Sequence, residues 1–314
     1  MATTFRLSNM RSGLDRVCIP IVPDSQNDAY IPTPGAAVLA AQSAWLLANH
    51  TRLNMPFGLH VGDHVQTNGN ATEWAAAAAG FTPLEGHLNL IKAVGNHDYT
   101  NDWLRAATQM NAAYANDLTW LSGTMVPGDI KNSYYLTTAS GRPVIVVSIE
   151  YAPPAAVLAW ASSIFAAHPG AMGILLTHGF AFNDGTIYSG GMMWDPLGFA
   201  GDGLTGTDIE SVVIVPNRNV RFVVSGHAFL SSVHWTKARP DGTKYHLVQM
   251  DFQQVLGGAI LHTGYLCLLN LDFSGDTAST EVFSPYLNQY YSPGLPATHE
   301  SNPYALFQDA QLYG

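Results

Sequence analysis

Aspartate, asparagine and histidine side chains recur directly after short apolar runs in the chain. Asp24 follows the run RVCIPIV, Asp63 follows FGLHV, and the segment 96–98, Asn-His-Asp, follows LIKAV. His178 and His227 stand in the same position after AMGILLT and VRFVVS. Carboxylate, amide and imidazole groups are ligands of divalent cations, so this repeated arrangement predicts a metal site built at the ends of strands.

The segments that must position these side chains alternate between two patterns. Short apolar runs rich in β-branched residues predict buried strands at 16–22, 57–61, 90–94, 143–149, 171–177 and 220–225. Helix-like stretches lie between several of them, at 34–50, 71–81 and 154–168. The alternation predicts an α/β layered fold with a mostly parallel core sheet, whose strands end at one common crevice.

The pattern of predicted secondary structure changes at about residue 243. Strand-like segments then follow one another with Gly and Asp turns and no helix between them, which predicts an antiparallel sheet that closes the domain. We predict one domain over residues 1–289. Residues 290–314 are rich in Tyr, Pro and Asn and are expected to form an irregular tail packed on the body or on an assembly partner.

Composition limits the classes of partner. The 314 residues are 47% hydrophobic and only 11% charged, with a net charge of −10, so nucleic acid is not expected as a stable partner. No run reaches the roughly 18 apolar residues of a membrane span, and the N-terminal segment lacks the apolar core of a signal peptide. We therefore expect a soluble protein, and the low charge favours an extracellular or virion-associated one. Cys18 and Cys267 lie in apolar runs and are expected to be reduced core thiols rather than a disulfide.

The ligand types indicate which cations to expect. Mixed Asp, Asn and His ligands suit Mn²⁺, Fe²⁺, Zn²⁺ or Co²⁺, and the absence of Cys at these positions argues against a structural zinc site. Each motif taken singly has an alternative interpretation, since a histidine after a strand is often only hydrogen-bonded and GNHD suits a turn. The order of the motifs along the chain favours the metal site.

That order, Asp, Gly-Asp, Gly-Asn-His-Asp, His and Gly-His, resembles the motifs of the calcineurin-like metallophosphoesterase family. The resemblance covers residues 16–234, and its most specific parts are HVGD at 60–63 and VGNHD at 94–98. It implies a four-layer αββα sandwich with a metal site at the carboxyl ends of the strands. It also implies one or two divalent ions, among Mn²⁺, Zn²⁺, Fe²⁺ and Mg²⁺, and hydrolysis of phosphate mono- or diesters by a metal-activated water.

The resemblance also implies roles for individual residues. Asp63 would bridge the two ions, and Asp24 would belong to the first metal. Asn96, His178 and His227 would complete the second metal's ligands. His97 would lie near the substrate and protonate the leaving oxygen or stabilise charge on the phosphoryl group, with Asp98 holding its imidazole in position.

Three positions depart from the family pattern. Phe229 replaces the second histidine of the Gly-His-x-His motif, Gln26 stands where the first motif has histidine, and Gln66 replaces the second aspartate of Gly-Asp-x-x-Asp. The first metal keeps Asp24, Asp63 and the amide oxygen of Gln26, which favours a harder ion such as Mg²⁺, Ca²⁺ or Mn²⁺. A divergent branch of the family with an Asp-x-Gln first motif is similar.

Other histidines and a long loop offer further candidates. His64 and His234 are possible replacement ligands, but we favour a structural or substrate-contacting role for His64 and a surface role for His234. The glycine-rich segment 181–203 is an insertion beside the predicted crevice, where Tyr188 and Trp194 are predicted to contact the substrate together with His64. The alternative for this segment is a surface excursion packed on its own aromatic residues.

Functions of different classes fit these observations. The leading hypothesis is a metal-dependent hydrolase of a small-molecule or polymeric phosphate mono- or diester. The alternative is a non-catalytic metal-containing binding module, associated with a virion or cell surface, that keeps the fold. The hypothesis that the protein hydrolyses another kind of ester is weaker, since the chain lacks the Gly-x-Ser-x-Gly nucleophile motif.

Overall fold

The structure is a computed structural model that describes residues 15–99, 105, 108–182, 184–193, 195–197, 199–228, 231–253, 260–291, 299–300 and 306–307. In chain order the strands are β1 (Arg16–Val22), β2 (Gly58–His60), β3 (Leu90–Lys92), β4 (Gly123–Val126), β5 (Asp129–Ala139), β6 (Arg142–Ser148), β7 (Met172–Leu176), β8 (Val220–Ser225), β9 (Ser231–Ala238), β10 (Lys244–Asp251), β11 (Leu266–Asp272), β12 (Thr277–Ser284), β13 (Gln289–Tyr290), β14 (His299–Glu300) and β15 (Leu306–Phe307). The α-helices are α1 (Gln26–Tyr30), α2 (Pro32–Asn49), α3 (Ala71–Phe81), α4 (Met110–Ala113), α5 (Ala155–Ala167) and α6 (Gly206–Ile209).

The strands form two mixed sheets. The first has the order β13-β12-β11-β1-β2-β3, with β15 beside β12, and the second has the order β14-β9-β10-β8-β7-β6-β5-β4. Strands β1, β2 and β3 are parallel, as are β6, β7, β8 and β10. The carboxyl ends within each parallel block therefore lie at one edge of its sheet.

The alternating faces of the strands build separate hydrophobic layers. Ile19 and Ile21 of β1 point to the second sheet, where they pack with Val146 and Ile174 in a core between the sheets. Cys18 of β1 points the other way. Because successive side chains of a strand face opposite sides, each central strand fills two apolar layers, which explains the unbroken apolar runs in the sequence.

Helices cover both outer faces. Helix α2 buries Leu39 and Leu46 on the first sheet, and α5 buries Leu158 and Phe165 on the second. The molecule is thus an α/β sandwich of four layers, αββα, as the resemblance predicted. The predicted helix at 71–81 coincides with α3, since the Asn70 side chain caps its first turn by accepting the Thr72 N–H at 3.0 Å.

Two expectations about the sheets are wrong. The core is two mixed sheets and not one mostly parallel sheet. The strands after residue 243 do not form one closing antiparallel sheet, because β10 runs parallel to β8 in the second sheet whereas β11 and β12 belong to the first. An apolar run indicates a buried strand but does not identify its neighbour, which depends on contacts between residues distant in the chain.

The structure also bears on the expectations for the two cysteines, for membrane-spanning helices and for the C-terminal tail. Cys18 and Cys267 are buried free thiols, in layers on opposite faces of the first sheet, as predicted. Within the described ranges, the helices lack the length and apolar character needed to cross a bilayer. In the tail, β14 pairs with β9 and β15 with β12, while the residues 292–298, 301–305 and 308–314 lie outside the described ranges. The division into a domain of 1–289 and a tail stays a prediction.

Candidate metal centre

Side chains from both sheets meet at the carboxyl ends of the parallel strands. Asp63 follows β2, Asn96 follows β3, His178 follows β7 and His227 follows β8. Ligand atoms of Asp63, His178 and His227 all lie within 4.8 Å of one another, a spacing that suits a metal ion. We refer to Asp63, Asn96, His178 and His227 as the imidazole site.

Asp63 lies at the middle of this site in a strained conformation. Its φ of 51° is in the left-handed region, which is uncommon for a residue other than glycine and typical of functional sites. Its Oδ1 accepts the His97 backbone N–H at 3.0 Å, and its Oδ2 lies 3.2 Å from His178 Nε2. Gly95 is required beside it, since a Cβ there would lie 1.9 Å from Asp63 Oδ1.

The carboxylate of Asp63 stays ionised. Burial by itself raises the pKa of Asp63, but the imidazoles of His178, His97 and His227 outweigh burial and hold that pKa below its ordinary value. An anionic carboxylate between imidazoles is the charge distribution expected of a ligand that bridges cations.

Hydrogen bonding fixes the tautomer of His178. Its Nδ1 lies 2.9 Å from the Val61 carbonyl oxygen, which can only accept, so Nδ1 carries the hydrogen. In the neutral ring, Nε2 is then an acceptor that faces two further acceptors at 3.2 Å, Asp63 Oδ2 and Asn96 Oδ1. A cation between these three atoms would satisfy all of them, and the donor set therefore fits a divalent metal ion.

His227 completes the site. Its φ of 71° is also left-handed, and its ring centroid lies 5.0 Å from that of His178. Tyr151 packs on the same ring, and its hydroxyl lies 3.4 Å from His227 Nε2. The His227 backbone N–H lies 3.1 Å from Asp24 Oδ2, which links the imidazole site to the end of β1.

The Asn-His-Asp segment differs from expectation in one respect. His97 is half-buried at the crevice, and its Nδ1 lies 3.1 Å from the Gln66 carbonyl oxygen. Asp98 is fully buried, and its carboxylate accepts backbone N–H groups of Gly95, His64 and Val65 at 2.7–3.3 Å. What differs is that Asp98 fixes the loop backbone and that the Gln66 backbone contacts His97, whereas the expectation that Asp98 holds the His97 imidazole stays a prediction.

The first-metal residues are buried together with two residues that we did not predict. Asp251, the last residue of β10, is fully buried, and its charge acts on the Asp24 carboxyl. Gln253 Nε2 lies 3.4 Å from Asp24 Oδ2 and 3.2 Å from Asp251 Oδ2. Gln26 is buried too, and its Oε1 has no partner among the described residues.

Asp251 carried the same sequence signal as the predicted ligands, an aspartate directly after an apolar run. We missed it because β10 was assigned to an antiparallel sheet, whose strand end would lie elsewhere. Since β10 is parallel to β8, with Gln249 opposite Ser225, its carboxyl end lies at the same edge as His227.

Other predicted residues lie behind or outside the centre. His64 is fully buried, with Nε2 3.1 Å from the Ala93 carbonyl oxygen and Nδ1 3.2 Å from the Tyr114 hydroxyl, so the predicted substrate contact is wrong. His234 is buried and bonds Thr280 of the other sheet, which makes it a core residue and not a surface one. Trp194 and Phe229 lie outside the described residues.

Tyr188 lies beside the centre. It is fully buried, its ring centroid is 6.0 Å from that of His227, and its hydroxyl has no partner among the described residues. The insertion that carries it therefore packs against the imidazole site, and contact of Tyr188 with a substrate stays a proposal.

Comparisons with known proteins give the fold but no close relative. No family model matches the chain. The uncharacterized protein YvnB of Bacillus subtilis (strain 168) is 26% identical over 261 residues, which are 80% of this chain and 19% of YvnB. The chain thus spans about a fifth of that relative's length.

Solved structures with similar folds include phosphatases. A dimetal phosphatase from Danio rerio superposes with a TM-score of 0.54 at 11% identity, over 86% of this chain and 96% of that one. GAP50, described as the anchor in the inner membrane complex of Plasmodium, gives a TM-score of 0.52 at 11% identity, over 88% and 87%. The purple acid phosphatase PPD1 of yellow lupin gives 0.50 at 11% identity, over 88% and 53%. The chain therefore has the metallophosphoesterase-type fold that its motifs predicted.

Proposed function

We propose that this protein is a metal-dependent phosphoesterase that hydrolyses a phosphate mono- or diester. The observation that carries the proposal is the position of His178 Nε2, 3.2 Å from both Asp63 Oδ2 and Asn96 Oδ1, with His227 within the same 4.8 Å group. The fold supports it, because a dimetal phosphatase shares this architecture.

In this proposal one group of residues binds cations and another residue transfers a proton. Asp63, Asn96, His178 and His227 would hold one divalent ion, and Asp24 with Gln26 would contribute to a neighbouring one, with Mn²⁺ or Zn²⁺ as our first candidates. A bound ion would supply positive charge for the phosphoryl oxygens and a water of lowered pKa.

We infer that His97 acts as a general acid. Its Nδ1 donates to the Gln66 carbonyl oxygen, so Nε2 of the half-exposed ring is directed away from that bond. When protonated, Nε2 donates its hydrogen to the leaving oxygen or to a phosphoryl oxygen. The Asp63 contact with the His97 backbone N–H, at 3.0 Å, couples the position of the acid to the metal centre.

The test is hydrolysis of nitrophenyl phosphate and bis(nitrophenyl) phosphate by the 314-residue chain with Mn²⁺, Zn²⁺ or Mg²⁺, before and after EDTA. We expect turnover with at least one ion, lost with EDTA and in Asp63→Asn. Asp241→Asn is the matched control, because Asp241 lies in an exposed turn. Absence of turnover of both esters with every ion would contradict the proposal.

One observation favours a second candidate function, a metal-containing binding module. A protein of this fold, GAP50, is described as an anchor. Gln26 and Gln66 moreover replace residues that the family uses at its site. This candidate expects stoichiometric ion binding by the chain together with no turnover of either ester.

A further inference from the structure

The carboxyl end of β10 brings an unassigned carboxylate into the metal centre. Asp251 is fully buried and shares the Gln253 side-chain amide with the Asp24 carboxyl. Gln253 holds the pair from one side: its Nε2 lies within 3.4 Å of an oxygen of each, while its Oε1 accepts the Asn27 amide at 3.0 Å. The Asn27 bond fixes the orientation of the Gln253 amide, so its N–H₂ group faces both carboxyls.

Two further buried polar groups lack hydrogen-bond partners among the described residues. Gln26 Oε1 is buried, and Gln26 lies between Ser25, whose N–H bonds the Asp63 carbonyl oxygen at 3.0 Å, and Asn27, which bonds Gln253. The Tyr188 hydroxyl is buried within electrostatic range of Asp24 and Asp251. A buried oxygen atom without a hydrogen-bond partner is unfavourable, and a ligand that contacts it would stabilise the folded chain.

The backbone also approaches the Asp24 carboxyl closely. The backbone at Gly226 passes so close to Asp24 that a Cβ there would lie 2.1 Å from its Oδ1. The charges of Asp63 and Asp251 both act on the buried Asp24 carboxyl, and like charges repel strongly at low dielectric. A cation that coordinates these oxygens would remove the repulsion, as well as satisfying the unpartnered amide.

We propose that Asp251 is a ligand of an oxygen-only cation site, shared with Asp24 and the Gln26 amide oxygen, and that Gln253 positions its two carboxylates. We refer to Asp24, Gln26, Asp251 and Gln253 as the carboxylate site. The inference rests on the proposed function in one respect: it takes the ion of the carboxylate site to lie beside a second ion in the imidazole site. Oxygen ligands favour a hard ion such as Mn²⁺ or Mg²⁺, and Asp251 takes the place of the imidazoles that Gln26 and Phe229 remove.

The experiment counts ions and does not depend on hydrolysis. The full chain is titrated with Mn²⁺ by calorimetry, and its bound Mn²⁺ is examined by electron paramagnetic resonance. We expect two ions per wild-type chain with a spin-coupled signal. In Asp251→Asn we expect one ion with a mononuclear signal and at least a hundredfold weaker binding of the other. Asp241→Asn, in an exposed turn, should behave as wild type.

Further variants keep the test decisive. Asp24→Asn should lose the same ion as Asp251→Asn, and the double variant should lose no more, whereas His178→Ala should lose the other ion. Two ions with unchanged affinity in Asp251→Asn would overturn the inference, whatever Asp24→Asn does. A wild-type chain that binds one ion, lost in His178→Ala only, would overturn it and leave the proposed function standing. A wild-type chain that binds no ion would overturn both.

Discussion

The imidazole site and the carboxylate site lie side by side but are held in opposite ways. In the imidazole site a backbone carbonyl orients His178, and the imidazoles keep the pKa of Asp63 low. In the carboxylate site the Gln253 side-chain amide contacts both carboxyls, and burial, together with the charges of Asp251 and Asp63, raises the pKa of Asp24 well above its ordinary value. The comparison teaches that the two sites differ in what acts on their carboxyls: imidazoles lower the pKa in the first, whereas burial and neighbouring carboxyls raise it in the second.

The largest expected effect is on the imidazole site. We expect His178→Ala to lower kcat/KM for nitrophenyl phosphate by about a thousandfold or more, since an ion that stabilises the transition state by several kcal/mol would be lost. Calorimetric titration with Zn²⁺ should show the loss of one ion at the same time.

His87→Ala is the control for removal of an imidazole, because His87 is exposed. Turnover of His178→Ala within tenfold of wild type would remove His178 from the centre and with it the contrast between the two sites.

The next effect separates chemistry from ion binding. We expect His97→Asn to lower kcat by about 10²–10⁴-fold, the usual contribution of a general acid, while the chain keeps its full complement of ions. The reason is that the His97 contact with Asp63 is made by the backbone, which the substitution preserves. A pH profile of kcat should lose its limb at high pH. Loss of an ion in His97→Asn would show that the ring itself is a ligand.

A smaller effect concerns stability without cations. Burial and the charge of Asp63 raise the pKa of Asp251 to about 6. Unfolded aspartate has a pKa of about 3.9, so between about pH 4 and pH 6 the folded chain holds a proton that the unfolded chain releases. The ionisation of Asp251 therefore lowers the free energy of unfolding of the chain as pH rises through this range. In EDTA we therefore expect Asp251→Asn to gain about 2 kcal/mol of unfolding free energy relative to wild type from pH 4 to pH 7. Urea unfolding at several pH values measures the difference.

A pH-independent difference between the two chains would contradict this account. Saturating Mn²⁺ should reverse the trend for the wild type, because the ion binds the ionised carboxylates. Asp241→Asn again serves as the control, since Asp241 is exposed.

The imidazole site and the carboxylate site also differ in how far the sequence could predict them. The four residues of the imidazole site could be identified in the sequence as candidates, because each follows an apolar run that predicts a buried strand. Asp251 follows such a run as well, but its place depends on β10 lying parallel to β8, a pairing between distant segments. The role of Asp98 could not be predicted either, since its partners, the N–H groups of Gly95, His64 and Val65, are set by how two loops pack.

The smallest effect tests what holds His97. Gln66 presents two groups to His97 Nδ1, its carbonyl oxygen at 3.1 Å and its side-chain Nε2 at 3.3 Å. A carbonyl only accepts and an amide N–H₂ only donates, so a single Nδ1 cannot bond both, and the shorter distance favours the carbonyl. We therefore expect Gln66→Ala to change kcat by less than about threefold, since the backbone bond survives, whereas loss of an orienting partner typically costs about tenfold or more. A tenfold fall in kcat with a shifted pH profile would show that Nδ1 is unprotonated and that His97, unlike His178, is held by a side-chain amide as the carboxylate site is.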